Sequence, residues 1–266
     1  MQIAFIGGGV MGEAMIRGIL SKGLATPQDI IASDVNEECL FALRQSYGIR
    51  TSADNRQAIE GSEVVVLAIK PQNLEQVMEE LKIPPEEQIF LSIIAGASIA
   101  TIANGLGHKS VVRAMPNTPA QIGEGMSVWT ASSGVSESQK EVAKSILGAL
   151  GKEIYVSDEK YIDMATAISG SGPAYIFLVI EALIDAAVHI GWARETAGDL
   201  VLQTVLGATR LAQETGKHPA ELRNMVTSPG GTTVEGLLQL EEGGLRALLT
   251  HAVIAAYEKA KILGGE

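Results

Sequence analysis

The sequence lacks residues that whole classes of proteins require. Its 266 residues include a single cysteine, Cys39, so no intrachain disulfide can form and a cluster of thiolate metal ligands is excluded. Aromatic residues make up only 4% of the chain, and the formal net charge is −11. Because binding to a nucleic-acid backbone needs a cationic surface, we expect no nucleic-acid partner.

Signals for secretion or membrane insertion are also missing. The chain starts directly with an apolar segment typical of a strand, residues 2–6, and has no basic leader. The most apolar long run, residues 174–190, carries Glu181 and Asp185, which argues against a membrane span. We therefore expect a cytoplasmic protein with neither a membrane partner nor a metal site.

Strands alternate with helices in the first half of the chain. Apolar runs rich in β-branched residues are separated by helical patterns, which indicates right-handed crossovers and a mostly parallel, doubly wound sheet. The predicted strands are residues 2–6, 30–33, 63–68, 88–93 and 110–114, and the helices between them are 10–22, 36–46, 71–81 and 98–105. A strand at 126–130, a helix at 137–150 and a strand at 153–156 complete the edge of the sheet.

The pattern changes near residue 158. Helices then follow one another without strands, at 160–168, 173–191, 195–215, 219–226, 232–242 and 245–263. We predict an α/β domain over residues 1–158 and an all-α domain over residues 159–266.

One helix of the second domain is apolar around most of its circumference. Between Ala174 and Ile190 the strongly polar side chains are Glu181, Asp185 and His189, which are four residues apart and share one stripe. A small helical domain can seldom bury such a helix, so we predict a homo-oligomer interface. The alternative is a central core helix in a monomer.

A glycine-rich segment joins the first strand to the first helix. Gly7, Gly9 and Gly12 match the dinucleotide-binding fingerprint, and they stand between a strand and a helix as that chemistry requires. The helix N-terminus then faces the diphosphate with free N–H groups. The alternative is a glycine turn that binds nothing. The predicted cofactor residues here are Ile6, Gly7, Gly8, Gly9, Val10, Met11 and Gly12.

The form of the cofactor is left open by the sequence. Asp34 ends the second strand, about 20 residues beyond the glycines, where an acid binds the ribose hydroxyls and favours NADH. Asn55 and Arg56 follow a short third strand, which precedes the strand at 63–68, and offer a donor and a cation to the 2′-phosphate of NADPH. We therefore predict NADPH or NADH as the cofactor.

Further candidates follow strands at the carboxyl edge of the sheet, where open α/β sheets bind ligands. Ala68, Ile69, Lys70 and Pro71 end the fourth strand, and Lys70 is either a cation beside the cofactor or a solvated loop residue. Ala95 and Asn117 end the next two strands. Prolines on both sides of Asn117 suit a rigid wall near the nicotinamide or an ordinary proline turn.

The second domain has two glycine-rich segments that we predict to be turns opening helices. The first is residues 169–175, with Pro173 at an early helical position. The second is residues 227–233, where backbone amides and the hydroxyls of Ser228, Thr232 and Thr233 form an anion pocket suited to a carboxylate. The alternative role for these hydroxyls is to cap the helix.

A missing residue type indicates the reaction class. Dehydrogenases that oxidise an alcohol need a base for the hydroxyl proton, usually a lysine or a histidine. Between Tyr161 and Gly216 there is no lysine, and His189 lies far along the apolar helix. A protonated imine accepts hydride without a strong catalytic acid, so the sequence favours a C=N substrate. A hydroxyacid reductase and a non-catalytic NAD(P) sensor are the alternatives.

These segments together resemble pyrroline-5-carboxylate reductase over essentially the whole chain. The resemblance is carried by residues 5–12, 68–71, 116–119 and 169–175, and by the stretch from Pro219 to Leu237 that contains Ser228-Pro229-Gly230-Gly231-Thr232-Thr233. The last stretch is similar to the signature of the family and is highly specific.

The resemblance implies an N-terminal Rossmann-like dinucleotide-binding domain and a helical domain for substrate binding and dimerisation. It implies homodimers that often assemble into decamers, and hydride transfer from NAD(P)H to 1-pyrroline-5-carboxylate in the last step of proline synthesis. The residue matching Thr233 contacts the ring nitrogen and is the catalytic candidate. The implied substrate residues are Glu159, Ser228, Gly231, Thr232 and Thr233, and Met225 and Asn55 match positions near the cofactor. Asp34 replaces the small polar residue common in members that prefer NADPH.

Overall fold

The computed structural model describes residues 1–82 and 84–264. Eight strands form one sheet: β1 (Ile3–Ile6), β2 (Ile30–Ser33), β3 (Arg50–Ser52), β4 (Val64–Leu67), β5 (Ile89–Ser92), β6 (Val111–Met115), β7 (Gly125–Ala131) and β8 (Gly151–Tyr155). Their order across the sheet is β3-β2-β1-β4-β5-β6-β7-β8. Neighbouring strands are parallel except β6 and β7, which pair antiparallel. This is the doubly wound order, with a reversed extension at one edge.

Helices connect the strands and cover both faces of the sheet. They are α1 (Val10–Ser21), α2 (Glu37–Tyr47), α3 (Asn55–Ile59), α4 (Leu74–Glu80), α5 (Ile99–Leu106) and α6 (Glu137–Gly148). Short 3₁₀ turns, each with proline in its first two positions, span Pro27–Asp29, Pro71–Asn73 and Thr118–Ile122.

The central strands of the sheet are buried on both faces. Ile3 and Phe5 of β1 point into a cluster that contains Met15 of α1, whereas Ile6 points into a second cluster that contains Leu74 of α4. Every residue of β1 is at most 1% exposed. Strands buried on both faces are continuous apolar runs, which explains the unbroken β-branched segments of the sequence.

The rest of the chain is helical, with α7 (Lys160–Ala165), α8 (Gly172–His189), α9 (Arg194–Thr215), α10 (Pro219–Met225), α11 (Thr232–Glu242) and α12 (Leu245–Gly264). The prediction of a turn at residues 169–175 is wrong. A π-helical segment, Thr166–Gly170, joins α7 to α8, so one helix runs from Lys160 to His189. A π turn is wider than an α turn, and Pro173, which has no N–H to donate, lies three residues after its last residue, Gly170.

The chain divides into two compact units. One contains Met1–Pro173 together with the end of the chain from Ala255, and the other contains Ala174–Ile254. Both divisions fall within a helix, the first in α8 and the second in α12.

Apolar surface is exposed throughout the second unit. Among residues 174–254, all of which the structure describes, only Ala197 is buried. In α8, Ile176, Phe177 and Leu178 are 50%, 62% and 65% exposed. By length and composition alone, the helix Lys160–His189 is apolar enough to cross a membrane. A helix in a subunit interface has the same composition, and the exposed face is larger than a soluble monomer usually carries.

The predicted fold class is confirmed, and most predicted helices and strands lie within two residues of the observed ones. In the first unit, α3 was not predicted and β3 was not among the strands predicted with bounds, because segments of five and three residues are too short to show an apolar period.

Candidate active site

The turn from β1 to α1 can be built only with glycine at two positions. Gly7 has φ +102°, and a Cβ there would lie 2.5 Å from the carbonyl oxygen of Ala68. A Cβ on Gly12 would collide with the carbonyl oxygen of Gly7. Backbone cannot move aside as a side chain can, so both positions exclude larger residues. The glycines therefore hold the turn tight against the sheet, as the sequence predicted.

The third fingerprint glycine faces open space. Gly9 is the N-cap residue of α1 and supplies no side-chain cap, and a Cβ on it would have no described atom within 4 Å. The first N–H groups of α1 therefore have no partner from a capping side chain, and the space beside Gly9 is open. A diphosphate fits such a helix start because the amides and the helix dipole both attract negative charge. The residues present fit a dinucleotide.

Asp34 lies beside this turn and is held in place by the backbone. Its Oδ2 accepts a hydrogen bond from the N–H of Gly8 at 2.8 Å, and its Oδ1 accepts one from the N–H of Asn36 at 2.9 Å. The Cys39 thiol is also close and donates to the carbonyl oxygen of Gly8 at 3.1 Å. Burial and the nearby carboxylates of Asp34 and Glu13 raise the pKa of Cys39, so it remains a structural thiol.

The other predicted cofactor residues of the first unit follow adjacent strands on one edge of the sheet. Ala68 and Ile69 are half-buried after β4, and Ala95 is half-buried after β5. Lys70 is exposed and precedes Pro71, which starts a 3₁₀ turn. The strand order brings these segments to the edge that carries the glycine turn. Met225 lies instead in the second unit, at the end of α10, and is 63% exposed.

Asn117 acts as a clamp between three backbone segments. Its Oδ1 accepts a hydrogen bond from the N–H of Met126 at 2.8 Å. Its Nδ2 donates to the carbonyl oxygen of Ser169 at 2.9 Å. The amide therefore ties the Pro116–Pro119 segment to β7 and to the π-helical segment.

Glu159 takes part in a buried ionic network that sequence reasoning missed. Arg113 of β6, whose side chain is 4% exposed, pairs with Glu159 at 2.8 Å and with Asp163 at 2.7 Å. The Oε1 atom of Glu159 also accepts a hydrogen bond from the N–H of Ile99 at 2.8 Å. The available signal was a charge inside an apolar strand, Val111–Met115, because an arginine there needs a buried partner.

A second glycine-capped helix start lies in the second unit. Helix α11 begins at Thr232, and its N-cap residue, Gly231, supplies no side-chain cap. Gly230 has φ +67°, and the N–H of Gly231 donates to the carbonyl oxygen of Ser228 at 3.0 Å, which closes the turn. Ser228 and Thr232 are exposed and Thr233 is half-buried.

The hydroxyls of this turn are available to a ligand. Within the described chain, those of Ser228, Thr232 and Thr233 form no hydrogen bond, so they do not cap the helix. The helix start therefore offers unpaired amides and hydroxyls, which suit a carboxylate. Among residues 1–82 and 84–264, no group of three potential metal ligands is present.

Comparison with known protein families gives two matches. Residues 159–263 match the family described as pyrroline-5-carboxylate reductase dimerisation. Residues 2–96 match the family described as NADP oxidoreductase, coenzyme F420-dependent.

Relatives that match over their full length are named pyrroline-5-carboxylate reductase, as is the first of the two families. A pyrroline-5-carboxylate reductase from Methanosarcina acetivorans is 44% identical over 99% of this chain and 98% of its own. A solved reductase from Coxiella burnetii is 42% identical, with a TM-score of 0.90 and coverage of 98% of both chains. The Plasmodium falciparum enzyme, solved with NADP bound, is 30% identical with a TM-score of 0.92, over 99% of this chain and 98% of its own. The identity and coverage, together with the two glycine-capped helix starts, show that this chain belongs to the pyrroline-5-carboxylate reductase family.

Proposed function

We propose that this chain reduces the C=N bond of 1-pyrroline-5-carboxylate to give proline, with NADPH or NADH as the cofactor. The observation that carries the proposal is the uncapped start of α11, whose free hydroxyls fall within the most specific motif of the family. The full-length relatives named for this activity support it.

The turn from Ser228 to Thr233 is the proposed substrate site. Gly231 and Thr232, with the Ser228 hydroxyl, hold the substrate carboxylate. The N–H of Gly231 closes the turn on Ser228, so the donating amide is that of Thr232. The protonated ring nitrogen donates a hydrogen bond to the Thr233 hydroxyl oxygen, which fixes the orientation of the C=N bond. Glu159, whose carboxylate holds the start of α5 through Ile99, is assigned to substrate binding, and Met225 is assigned to cofactor binding.

Bound NAD(P)H supplies the hydride. The C5 carbon of the ring accepts it, and the π electrons of the C=N bond move to the nitrogen, which becomes the secondary amine of proline. Because the imine arrives protonated, the chain need not provide a proton at that atom. This accounts for the absence of lysine between Tyr161 and Gly216.

The first unit supplies the cofactor site in this proposal. The diphosphate lies against the start of α1, and Asp34 and Asn55 lie near the adenosine ribose. The remaining contacts come from the segments that follow β1, β4, β5 and β6, and the proposed residues are Ile6, Gly7, Gly8, Gly9, Val10, Met11, Gly12, Ala68, Ile69, Lys70, Pro71, Ala95 and Asn117.

We propose that residues 1–158 form the dinucleotide-binding domain and that residues 159–266 form the domain for substrate binding and dimerisation. The exposed apolar face of α8 and the match of residues 159–263 to a dimerisation family support a homodimer. A decamer of such dimers, a cytoplasmic location, and the lack of nucleic-acid and membrane partners complete the proposal. The charge of −11 supports the lack of a nucleic-acid partner, and the polar stripe on α8 supports the lack of a membrane partner.

An initial-rate assay tests the function. We expect the purified oligomer to oxidise NAD(P)H with 1-pyrroline-5-carboxylate at least about a hundredfold faster than with a matched 2-keto or 3-keto acid. Equal or faster turnover of a keto acid would favour the hydroxyacid reductase. Cofactor binding without turnover of any cyclic imine would favour the non-catalytic sensor.

A further inference from the structure

The carboxylate of Asp34 is fixed where the second strand of a dinucleotide-binding sheet meets the ribose. Strand β2 is fully buried, and Asp34 directly follows it. Both carboxylate oxygens accept backbone N–H groups, from Gly8 and from Asn36. Two such bonds prevent the side chain from rotating away when a ligand approaches. Each oxygen retains a lone pair that can accept from a ribose hydroxyl.

Three backbone donors of the β2–α2 turn are already used. The N–H of Asn36 donates to Asp34. The N–H groups of Glu38 and Cys39 both donate to the side-chain oxygen of Asn36, which caps α2. A phosphate placed here would find these amides occupied, although the start of a helix is where a phosphate usually finds donors.

The two residues that the sequence offered to a 2′-phosphate are engaged elsewhere. Asn55 donates from Nδ2 to the Glu80 carboxylate at 2.6 Å. Arg56 donates from Nε to the main-chain oxygen of Glu80. Both side chains are therefore tied to the end of α4, and Asn55 already lies beside a negative charge.

The local charge opposes a second anion. Glu37 and Glu38 occupy the first turn of α2 and are exposed, so the Asp34 carboxylate has acidic neighbours along the chain. A 2′-phosphate adds about two negative charges beside a fixed carboxylate, and this repulsion is weakly screened at contact distance.

We propose that Asp34 makes this reductase select NADH over NADPH. The inference rests on the proposed use of a nicotinamide cofactor and decides between the two forms that the sequence left open. The ribose hydroxyls of NADH donate to the fixed carboxylate, whereas the 2′-phosphate of NADPH replaces one of those donors with an anion.

Binding of the reduced cofactors to the purified oligomer tests the proposal without substrate. The increase in nicotinamide fluorescence on binding gives a dissociation constant for each cofactor. We expect NADH to bind at least about tenfold more tightly than NADPH. In initial-rate assays the same preference should appear in KM, with similar kcat values. Equal affinities, or tighter binding of NADPH, would overturn the proposal.

Asp34→Asn removes the charge and keeps an oxygen that can accept from the backbone. We expect NADPH affinity to rise about tenfold and NADH affinity to fall a few-fold, so that the preference is lost. Glu37→Gln removes one negative charge from the same turn and is the control, which should retain most of the preference. An unchanged ratio in Asp34→Asn, or an equal loss of preference in both variants, would remove Asp34 from the role.

These measurements separate this inference from the proposed function. Tight, selective NADH binding without reduction of 1-pyrroline-5-carboxylate would contradict the function and leave the inference standing. Reduction of the imine with equal use of both cofactors would support the function and contradict the inference.

Discussion

Helices α1 and α11 begin in the same way but differ in how much of each helix is buried. Each starts at a glycine N-cap, Gly9 or Gly231, that offers no side-chain cap. Five residues of α1 are buried, and it packs on a strand that is at most 1% exposed, whereas no residue of α11 is buried. The anion site of the first unit is thus rigid within one chain. The anion site of the second unit is formed by helices that are largely unburied in a single copy.

The difference indicates where a second copy of the chain is required. Binding sites need supporting residues that are locked by packing, and the helices of residues 174–254 lack that packing in one copy. A dimer formed through their apolar faces would provide it, because a twofold interface buries the same patch on both subunits. The comparison therefore predicts that assembly affects the substrate site far more than the cofactor site.

The largest effect is expected from a charge on the exposed face of α8. Phe177→Asp should dissociate the oligomer, because two copies of a buried Phe contribute about 4 kcal/mol, roughly a thousandfold in the dimer dissociation constant. Turnover should fall with dissociation, while NADH binding should persist. Light scattering after gel filtration measures the mass, and fluorescence titration measures the binding.

Phe41→Asp is the matched control. Phe41 lies on α2 in the first unit and is 64% exposed, against 62% for Phe177, so the two substitutions remove similar surfaces. We expect its oligomeric mass to match that of the parent protein. If Phe177→Asp kept its mass, or if both variants dissociated alike, the interface would have to be placed elsewhere.

Two glycine substitutions in the first unit should have smaller effects, and together they separate folding from cofactor binding. Gly12→Ala forces a Cβ against the backbone of Gly7, so we expect the melting temperature to fall by about 5 °C and NADH affinity to fall at least about tenfold. Gly9→Ala meets open space and has φ −64°, which alanine adopts readily. It should weaken NADH binding while leaving the melting temperature unchanged. Equal thermal shifts in the two variants would contradict this reading of the turn.

The smallest expected effect is a loss of unfolding free energy when an ion pair is broken in each of the two units. Arg113→Met leaves the carboxylates of Glu159 and Asp163 unpaired, which should cost about 3 kcal/mol of unfolding free energy. Arg194→Met breaks a pair with Asp185 whose side chains are 68% and 57% exposed, so we expect less than about 1 kcal/mol. Urea unfolding of each variant measures the difference. Similar losses would mean that the buried network contributes no more than a surface pair.

Much of the first unit could be predicted from the sequence. The buried strands are unbroken β-branched runs, and the turn between β1 and α1 needs glycine at Gly7 and Gly12 for steric reasons that apply in any such fold. The helix start at Thr232 was predicted at the observed residue because two glycines and several hydroxyls mark it. The glycine pattern could be recognised because the same steric need recurs in such folds, and the helix start because the residues next to it in the sequence mark it.

The features that could not be predicted depend on distant partners or on small energy differences. The pairing of Arg113 with Glu159 joins residues far apart in the chain, as does the clamp from Asn117 to Ser169. Between residues 166 and 172 the helix continues through Gly170 and Gly172, which usually favour a turn, by way of a π-helical segment. No local pattern in the sequence distinguishes that segment from a break.

Turnover of Thr233→Val tests the substrate site most directly, because the substitution removes a hydroxyl and keeps the shape of the side chain. We predict that kcat/KM for 1-pyrroline-5-carboxylate falls about a hundredfold while the NADH dissociation constant and the oligomeric mass stay unchanged. Thr250→Val, whose hydroxyl donates to the Arg246 carbonyl oxygen, should behave like the parent protein. Unaltered turnover in Thr233→Val would contradict the assignment of the Ser228–Thr233 turn as the place where the imine is held.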